Sequence, residues 1–406
     1  MSTITTRSGD TFASISRRAF GTETKAGALQ RANPAISEPI VAGAVLTVPA
    51  IPGAPKDKAS TIEGDSIGIS ISGAQFTAWD NVSLTLAIDR PPTLTLSSPW
   101  LPGSAEMRRV FKPFSFQPIS VNIGSDAVFT GVLLTPSPAS TPDGHVISAS
   151  GYGQTGTVYD CTAPASSYPL EFDNLTLDAI AGQLLAPFGI AAQFDAPVGD
   201  PFERVSMQPA EPVMGFLAGL AKQRNIVIGE SPDGVALFQQ SASTGTPVAI
   251  LEDAKPPVTS VAPSFNAQGV FSDITAIAPT VPGLEGDKAT VKNSRLNGVL
   301  RPFTFTATDT TPEGLETAAA AKMGRMYANA VSWVVQIPAW RGPSGAIWQP
   351  NTTIKLTAPN AMIYTKTEFL IKEVRLNADA DGRTASLTIV LPGAFSGEIP
   401  GSLPWE

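Results

Sequence analysis

Residues 82–88 read Val82-Ser83-Leu84-Thr85-Leu86-Ala87-Ile88. The leading residues alternate apolar and polar with a period of two, the pattern that sends the two sets to opposite faces of a β-strand. The same alternation occurs earlier in Ile67-Gly68-Ile69-Ser70-Ile71, and strand-like runs follow at 93–96, 115–123, 127–134 and 146–152. Turn signals such as Asp143-Gly144 separate them. Short strands in this number across residues 64–165 predict a closed or nearly closed β-barrel.

Working outward toward the N-terminus, residues 51–63 hold Pro52, Gly53, Pro55 and the charged Lys56-Asp57-Lys58. They have little to bury and predict a linker. Residues 1–50 read as β-α-α-β. A strand near residues 2–6 comes first. Gly9-Asp10-Thr11 then precedes Phe12, Ile15 and Ala19, which line one helical face. Asp10 is placed to cap that helix, and Gly21 to stop it in a left-handed turn. A second helix is expected over 25–32, with Ala28, Leu29 and Ala32 inward. Asn33-Pro34 ends it, because proline disfavours a helical residue before it. Gly43 leads into the strand Val45-Leu46-Thr47-Val48-Pro49.

Toward the C-terminus the period changes. Leu177, Ile180, Ala181, Leu184 and Leu185 lie at helical spacing, and so do Val213, Phe216, Leu217, Leu220 and Ala221. Pro187 stops the first helix and Asn225 is placed as a left-handed stop for the second. A strand is expected over 190–194, and Ser231-Pro232-Asp233-Gly234 joins two apolar runs into a hairpin. Residues 166–245 are therefore a small α+β domain in which an α-then-β motif occurs twice. Residues 246–310 form a β-rich connecting segment, with Pro279-Thr280-Val281-Pro282-Gly283 exposed. A third helix starts at Thr311 or Pro312, with Leu315, Ala319, Lys322-Met323 and Met326-Tyr327 on its buried side. Strands follow at 330–338, 352–356, 368–376 and 383–391, the last two joined by the turn Asp379-Ala380-Asp381-Gly382. Residues 311–406 thus read as a helix plus a second barrel built like the first. The fold class is multidomain, mainly β with α+β parts.

Composition limits the function. Charged residues make up 15% of the chain, against roughly 25% in an average soluble protein. The net charge of −8, with no basic run, makes a poor partner for the nucleic-acid backbone. A charge-poor surface rich in Thr, Ser and Ala fits a subunit that buries much of itself in an assembly, so the chain is expected to be an oligomer. The one cysteine, Cys161, can make no intrachain disulfide and reads as a quiet, partly buried thiol. No apolar run approaches the ~18–20 residues of a membrane span. Residues 1–7 lack an apolar signal core, so the chain is expected to be made and kept in the cytoplasm unless something larger carries it out.

Catalytic devices are missing. The one histidine, His145, follows Asp143-Gly144 and reads as a surface turn residue. A serine or cysteine triad would have to use it, and no Gly-x-Ser-x-Gly elbow accompanies it. One histidine and one cysteine are too few for a zinc site. No phosphate-cradling loop or dinucleotide fingerprint occurs. Glu171, Asp173, Glu203, Glu211 and Glu252 are the carboxylates a glycosidase could use, but none sits in a recognisable motif. The chain is expected to be no enzyme and to hold no cofactor or metal.

Two resemblances sharpen the reading. Gly9-Asp10-Thr11-Phe12, Ile15, Phe20-Gly21, Leu29, Asn33-Pro34, Ile40, Ala42-Gly43 and Leu46-Thr47-Val48-Pro49 resemble a LysM module across residues 4–50. That likeness implies a groove between the loop before the first helix and the loop after the second. Gly9, Asp10, Thr11, Phe12, Asn33, Pro34 and Ile36 are its candidate residues, for an N-acetylglucosamine-containing glycan or for protein docking. The same residues also serve the fold as caps and turns, and docking or a fold-only role is favoured over sugar. Further on, Arg301-Pro302-Phe303-Thr304-Phe305-Thr306-Ala307 is followed by the Ala-rich helix, Trp340-Arg341-Gly342-Pro343-Ser344-Gly345 and Ile347-Trp348-Gln349-Pro350-Asn351. Phe369-Leu370-Ile371-Lys372-Glu373-Val374 and Leu391-Pro392-Gly393-Ala394-Phe395 complete the series. This series resembles the Mu-type baseplate hub of contractile-tailed phages, also called late control protein D-like, and the likeness covers roughly residues 65–396.

The resemblance implies a structural virion protein of the phage tail baseplate, assembled in the bacterial host cytoplasm. It implies a homotrimer that adapts a six-fold tail tube to a three-fold central spike, with tube and spike proteins as partners. Two similar barrels per chain would give six around the axis. Trp340, Arg341 and Trp348 are candidates for an inter-subunit contact, because aromatics and Arg dominate interface energetics. The competing reading places both rings inside the second barrel, and it is favoured. The alternative function is a tail protein that binds or degrades peptidoglycan, targeted by the LysM-like module.

Overall fold

The computed structural model describes residues 2–6, 10–20, 26–48, 65–141, 144–242, 245–280, 286–296, 298–308, 311–397 and 400–406. The chain divides into two compact units, Met1–Glu63 and Gly64–Glu406.

The first unit contains β1 (Ser2–Thr5), α1 (Phe12–Phe20), α2 (Ala26–Ala32) and β2 (Val45–Val48). The strands pair antiparallel, Ser2 opposite Val48. Phe12, Ile15, Leu29, Ile40 and Leu46 form the core. The β-α-α-β order agrees with the sequence reading, but the cap differs. Thr11 Oγ1 accepts from the Ser14 amide at 3.1 Å, and Ser14 Oγ accepts from the Thr11 amide at 2.9 Å. This reciprocal pair caps α1 from Thr11, while Asp10 accepts a bond from the Ser14 hydroxyl. Gly9, Gly21, the start of the expected second helix at Lys25 and the linker 51–63 lie outside the described residues.

In the second unit the first strands are β3 (Ile67–Ile71), β4 (Ala74–Gln75), β5 (Asn81–Ala87), β6 (Thr93–Pro99), β7 (Pro118–Ile123), β8 (Asp126–Thr141) and β9 (Gly144–Gly153). A short helix, α3 (Ala105–Val110), lies between β6 and β7 and carried no periodic signal long enough to read. The turn residue Asp143 lies outside the described residues. The α+β part holds α4 (Gly156–Asp160), β10 (Glu171–Leu175), α5 (Leu177–Leu185), β11 (Ala192–Phe194), β12 (Phe202–Ser206), α6 (Val213–Gln223), β13 (Ile226–Glu230) and β14 (Ala236–Gln240). Then come β15 (Ala249–Glu252), β16 (Ser260–Phe265), β17 (Asp273–Ile277), β18 (Lys288–Lys292), β19 (Pro302–Thr306) and α7 (Pro312–Ala330). The chain closes with β20 (Val331–Ile337), β21 (Thr353–Ala358), β22 (Ile363–Asp379) and β23 (Gly382–Val390).

Thirteen strands share one sheet. The first half runs β5-β6-β9-β8-β7-β3-β4 and the second β16-β20-β23-β22, with β21 and β15 branching from β22. The two barrel-like halves expected from sequence are therefore not separate sheets. The 17-residue β22 joins them, pairing with β21 and β23 and also with β5, Glu373 opposite Ala87 through Ala378 opposite Val82. Their inward faces feed one core, in which Leu84, Leu94 and Phe129 share a cluster with Trp333, Trp340, Phe369 and Leu387. The alternation in β20, where every second residue is buried, is what such a one-sided sheet requires.

The α+β part matches its expected core. Every residue named for α5 and α6 is buried, together with Phe172, Ile226 and Phe238. Asn225 holds the left-handed conformation at φ 57°, and β13 and β14 form the hairpin. The third helix buries Leu315, Ala319, Met323, Met326 and Tyr327 as expected, but not against a second barrel. Its Leu315, Ala318, Ala319, Met323, Met326 and Tyr327 pack on the separate three-stranded sheet β18-β17-β19. The connecting segment 246–310 thus splits: β15 and β16 join the large sheet, and β17–β19 with α7 make a second small α+β layer. Lys322, expected inward, is exposed. Pro279 and Thr280 are exposed as expected, and residues 281–283 lie outside the described residues.

Candidate functional site

The residues singled out in the N-terminal unit divide by role. Asn33 is buried, and its side-chain amide donates to Leu29 O at 2.8 Å and Thr47 O at 2.7 Å while accepting from the Thr47 amide at 2.7 Å. It is spent on the fold. Phe12 is also buried, in the small core. Its amide donates to Glu38 Oε1 at 2.6 Å, which ties the start of α1 to the loop after α2. The two expected loops therefore meet. Thr11 and Pro34 are exposed, and Asp10 and Ile36 half-buried, so among the described candidates these four remain on the surface.

Trp340 and Trp348 are 1% and 2% exposed. The Trp340 indole donates to Asn377 O at 3.1 Å and Thr384 O at 3.2 Å, and the Trp348 indole to Ala339 O at 3.2 Å. Arg341 pairs with Asp65 at 2.7 Å and Asp126 at 2.8 Å, and donates to Ile123 O at 3.2 Å. Both rings are intrachain core, as the favoured reading had them, and Arg341 clamps the second half of the sheet to the first.

The carboxylates a glycosidase could use lie on separate elements or are taken up in ion pairs. Glu171 and Asp173 flank Arg204 on an exposed ribbon, and Glu252 pairs with Lys255 on another sheet. His145 is exposed on β9, its Nδ1 2.9 Å from Ser140 Oγ. Cys161 is half-buried. Among the described residues no group of His, Cys, Asp and Glu could hold a metal ion, and no helix is long and apolar enough to cross a membrane.

A cleft of about 460 Å³ was not foreseen. Lys222, from the last turn of α6, lines one wall, and Asp89, just beyond β5, contributes a carboxylate. Lys322, Arg325, Met326 and Asn329 share one face of α7. Phe271, Phe305 and Phe395 supply aromatic surface. Gln223 fixes the rim by accepting from the Thr308 amide at 2.9 Å and donating to Thr308 Oγ1 at 2.8 Å. The guanidinium of Arg325 lies 5.3 Å from the Phe395 ring centre and donates to Ile226 O at 3.1 Å. Its Nε is buried with no hydrogen-bond partner. Burial pulls Arg325 down to about 10, with Asp89 acting the other way. Lys222 is also lowered, first by desolvation and then by Arg325. Sequence reading named Lys322 and Met326 only as helix positions and missed the cleft, because its residues come from segments far apart in the chain.

Comparison with known proteins places this architecture. Residues 155–240 match the family model "Baseplate hub protein gp44-like, second domain", and residues 307–398 match "Mu phage baseplate assembly protein GpP, fourth domain". The chain is 23% identical over 333 residues to baseplate hub protein gp44 of Escherichia phage Mu, covering 78% of this chain and 86% of that one. Its fold is similar to the 43 kDa tail protein of prophage MuSo2 from Shewanella oneidensis, with a TM-score of 0.70 and 24% identity over 81% of this chain and 99% of that chain. A tail protein from Neisseria meningitidis MC58 gives a TM-score of 0.69 at 17% identity, over 82% and 98%. The chain is thus similar to Mu-like baseplate hub proteins along most of its length.

Proposed function

We propose that this chain is a structural baseplate hub subunit of a contractile phage tail, a homotrimer that joins the six-fold tail tube to the three-fold central spike. The observation that carries the reading is the sequence likeness to the Mu hub over 333 residues. The large sheet supplies a physical rationale. Each chain brings two strand-rich halves, joined through β22 and β5 and sharing one core. Three chains then bring six halves around an axis, so one face can meet six-fold symmetry while the α+β layers keep three-fold symmetry. The exposed edge strand β16, paired among the described residues with β20 alone, is a backbone edge that a neighbouring subunit can cover. The N-terminal unit is LysM-like in order and docks to another tail protein rather than to peptidoglycan. The role is structural, without catalysis, in the virion.

Electron microscopy of the purified chain tests this. A three-subunit ring with pseudo-six-fold appearance is expected. A monodisperse monomer, or lysis of cell-wall substrate by the pure protein in a zymogram, would overturn it.

A further inference from the structure

The cleft between α6, α7 and β19 holds more positive charge than the chain itself neutralises. Lys222, Lys322 and Arg325 face one carboxylate, Asp89. None of the three cations makes a salt bridge among the described residues. Arg325 lines the cavity and donates to Ile226 O at 3.1 Å.

We propose that this cleft is a carboxylate-binding site, filled by an acidic side chain on an apolar-flanked segment of a partner protein. Three features select that chemistry. Three cations against one resident carboxylate leave about two positive charges, which suits one or two carboxylates. Phe271, Phe305, Phe395 and Met326 offer an apolar wall that a hydrated inorganic ion cannot use but an acidic peptide can. The planar fork of Arg325 also matches a carboxylate edge. The assignment does not rest on the hub reading, since it depends only on the charges and the walls.

Methyl NMR on the full chain tests it. Met326 lines the cleft, so its ¹³C-methyl signal reports occupancy. The probe is N-acetyl-glutamate amide, with N-acetyl-glutamine amide as the neutral counterpart and inorganic phosphate as the second anion. A saturable Met326 shift with the glutamate probe and none with the glutamine probe is expected. Lys322→Gln and Arg325→Gln should each weaken binding about tenfold. Lys322 is exposed, so its variant keeps the fold and decides the matter even if Arg325→Gln does not fold. Equal shifts with both peptide probes, no saturable shift, tighter binding of phosphate, or unchanged affinity in folded Lys322→Gln would each overturn the proposal.

Discussion

Glu230 stands on β13 but serves another segment. Its oxygens accept from the Gln154 amide at 2.8 Å and the Thr155 amide at 3.0 Å, and from the Thr155 hydroxyl, at the start of α4. A Cβ on Gly153 would lie 2.2 Å from Glu230 Oε1, so the close approach needs glycine there. Desolvation raises the Glu230 carboxyl pKa, against the lowering effect of the Thr155 and Gln154 bonds. The folded value therefore exceeds the unfolded one, and its contribution to stability is present below the unfolded pKa and lost as pH rises through the folded pKa. Glu230→Gln removes that titration. Urea melts should show wild type ahead of the variant by more at about pH 4 than at about pH 7; a difference flat with pH would contradict the raised value. The tryptophans make a second residue-scale case. Composition left Trp348 open to interface or core, because the residue type serves both, and only its burial against Gly342 and its bond to Ala339 decide. Trp348→Ala should cost ~3–5 kcal/mol in a urea melt, with the sedimentation coefficient of the native protein unchanged.

At the scale of the element, local period was legible and partner choice was not. Helices α5 and α6 could be read residue by residue, because large aliphatics mark one buried face each. Helix α7 buries Ala318, Ala319, Ala321, Ala328 and Ala330, whose small side chains carry little periodic contrast, so its packing on β17–β19 was not readable. Nor could the β22–β5 pairing be read, since strands this distant in the chain leave no mark of which edge they seek. The charged cleft was invisible for the same reason: Asp89, Lys222 and Arg325 meet only once those pairings exist. Two glycines test the account of α7. A Cβ on Gly324 would meet the backbone of Gly397 at 3.0 Å, whereas one on exposed Gly182 in α5 meets nothing within 4 Å. Helix propensity alone favours alanine by ~1 kcal/mol at both. Gly182→Ala should therefore raise stability by roughly 0.5–1 kcal/mol, while Gly324→Ala should lower it by about 1–3 kcal/mol, the overpacking term winning. Thermal melts of the two variants in parallel give opposite signs if helix and C-terminal segment pack as described.

For the whole molecule, the division at residues 63 and 64 decides what the N-terminal unit can do. That unit has its own two-stranded sheet, and among the described residues its core holds five buried side chains while the core of the large sheet is drawn from the other unit. Removing residues 1–63 should accordingly leave the assembly of the remaining chain and its main melting transition in place. A unit this short gives little stability alone, since short domains bury too little apolar surface to offset chain entropy. Two of the residues proposed for a LysM-like groove are taken up by the fold, Asn33 by its three backbone bonds and Phe12 by the core. Thr11, Pro34 and the partly covered Asp10 and Ile36 remain, a surface with one carboxylate and no exposed aromatic ring among them. Sugar rings are commonly held by stacking on such rings, so glycan affinity should be weak and protein docking stronger. Titration of the intact chain with chitooligosaccharide should give no saturable heat. Pull-down of tail proteins should be lost on deleting residues 1–63 and reduced by Pro34→Glu, which alters the surface without touching the Asn33 bonds. Tight chitooligosaccharide binding that Pro34→Glu abolishes would instead make the unit a cell-wall anchor.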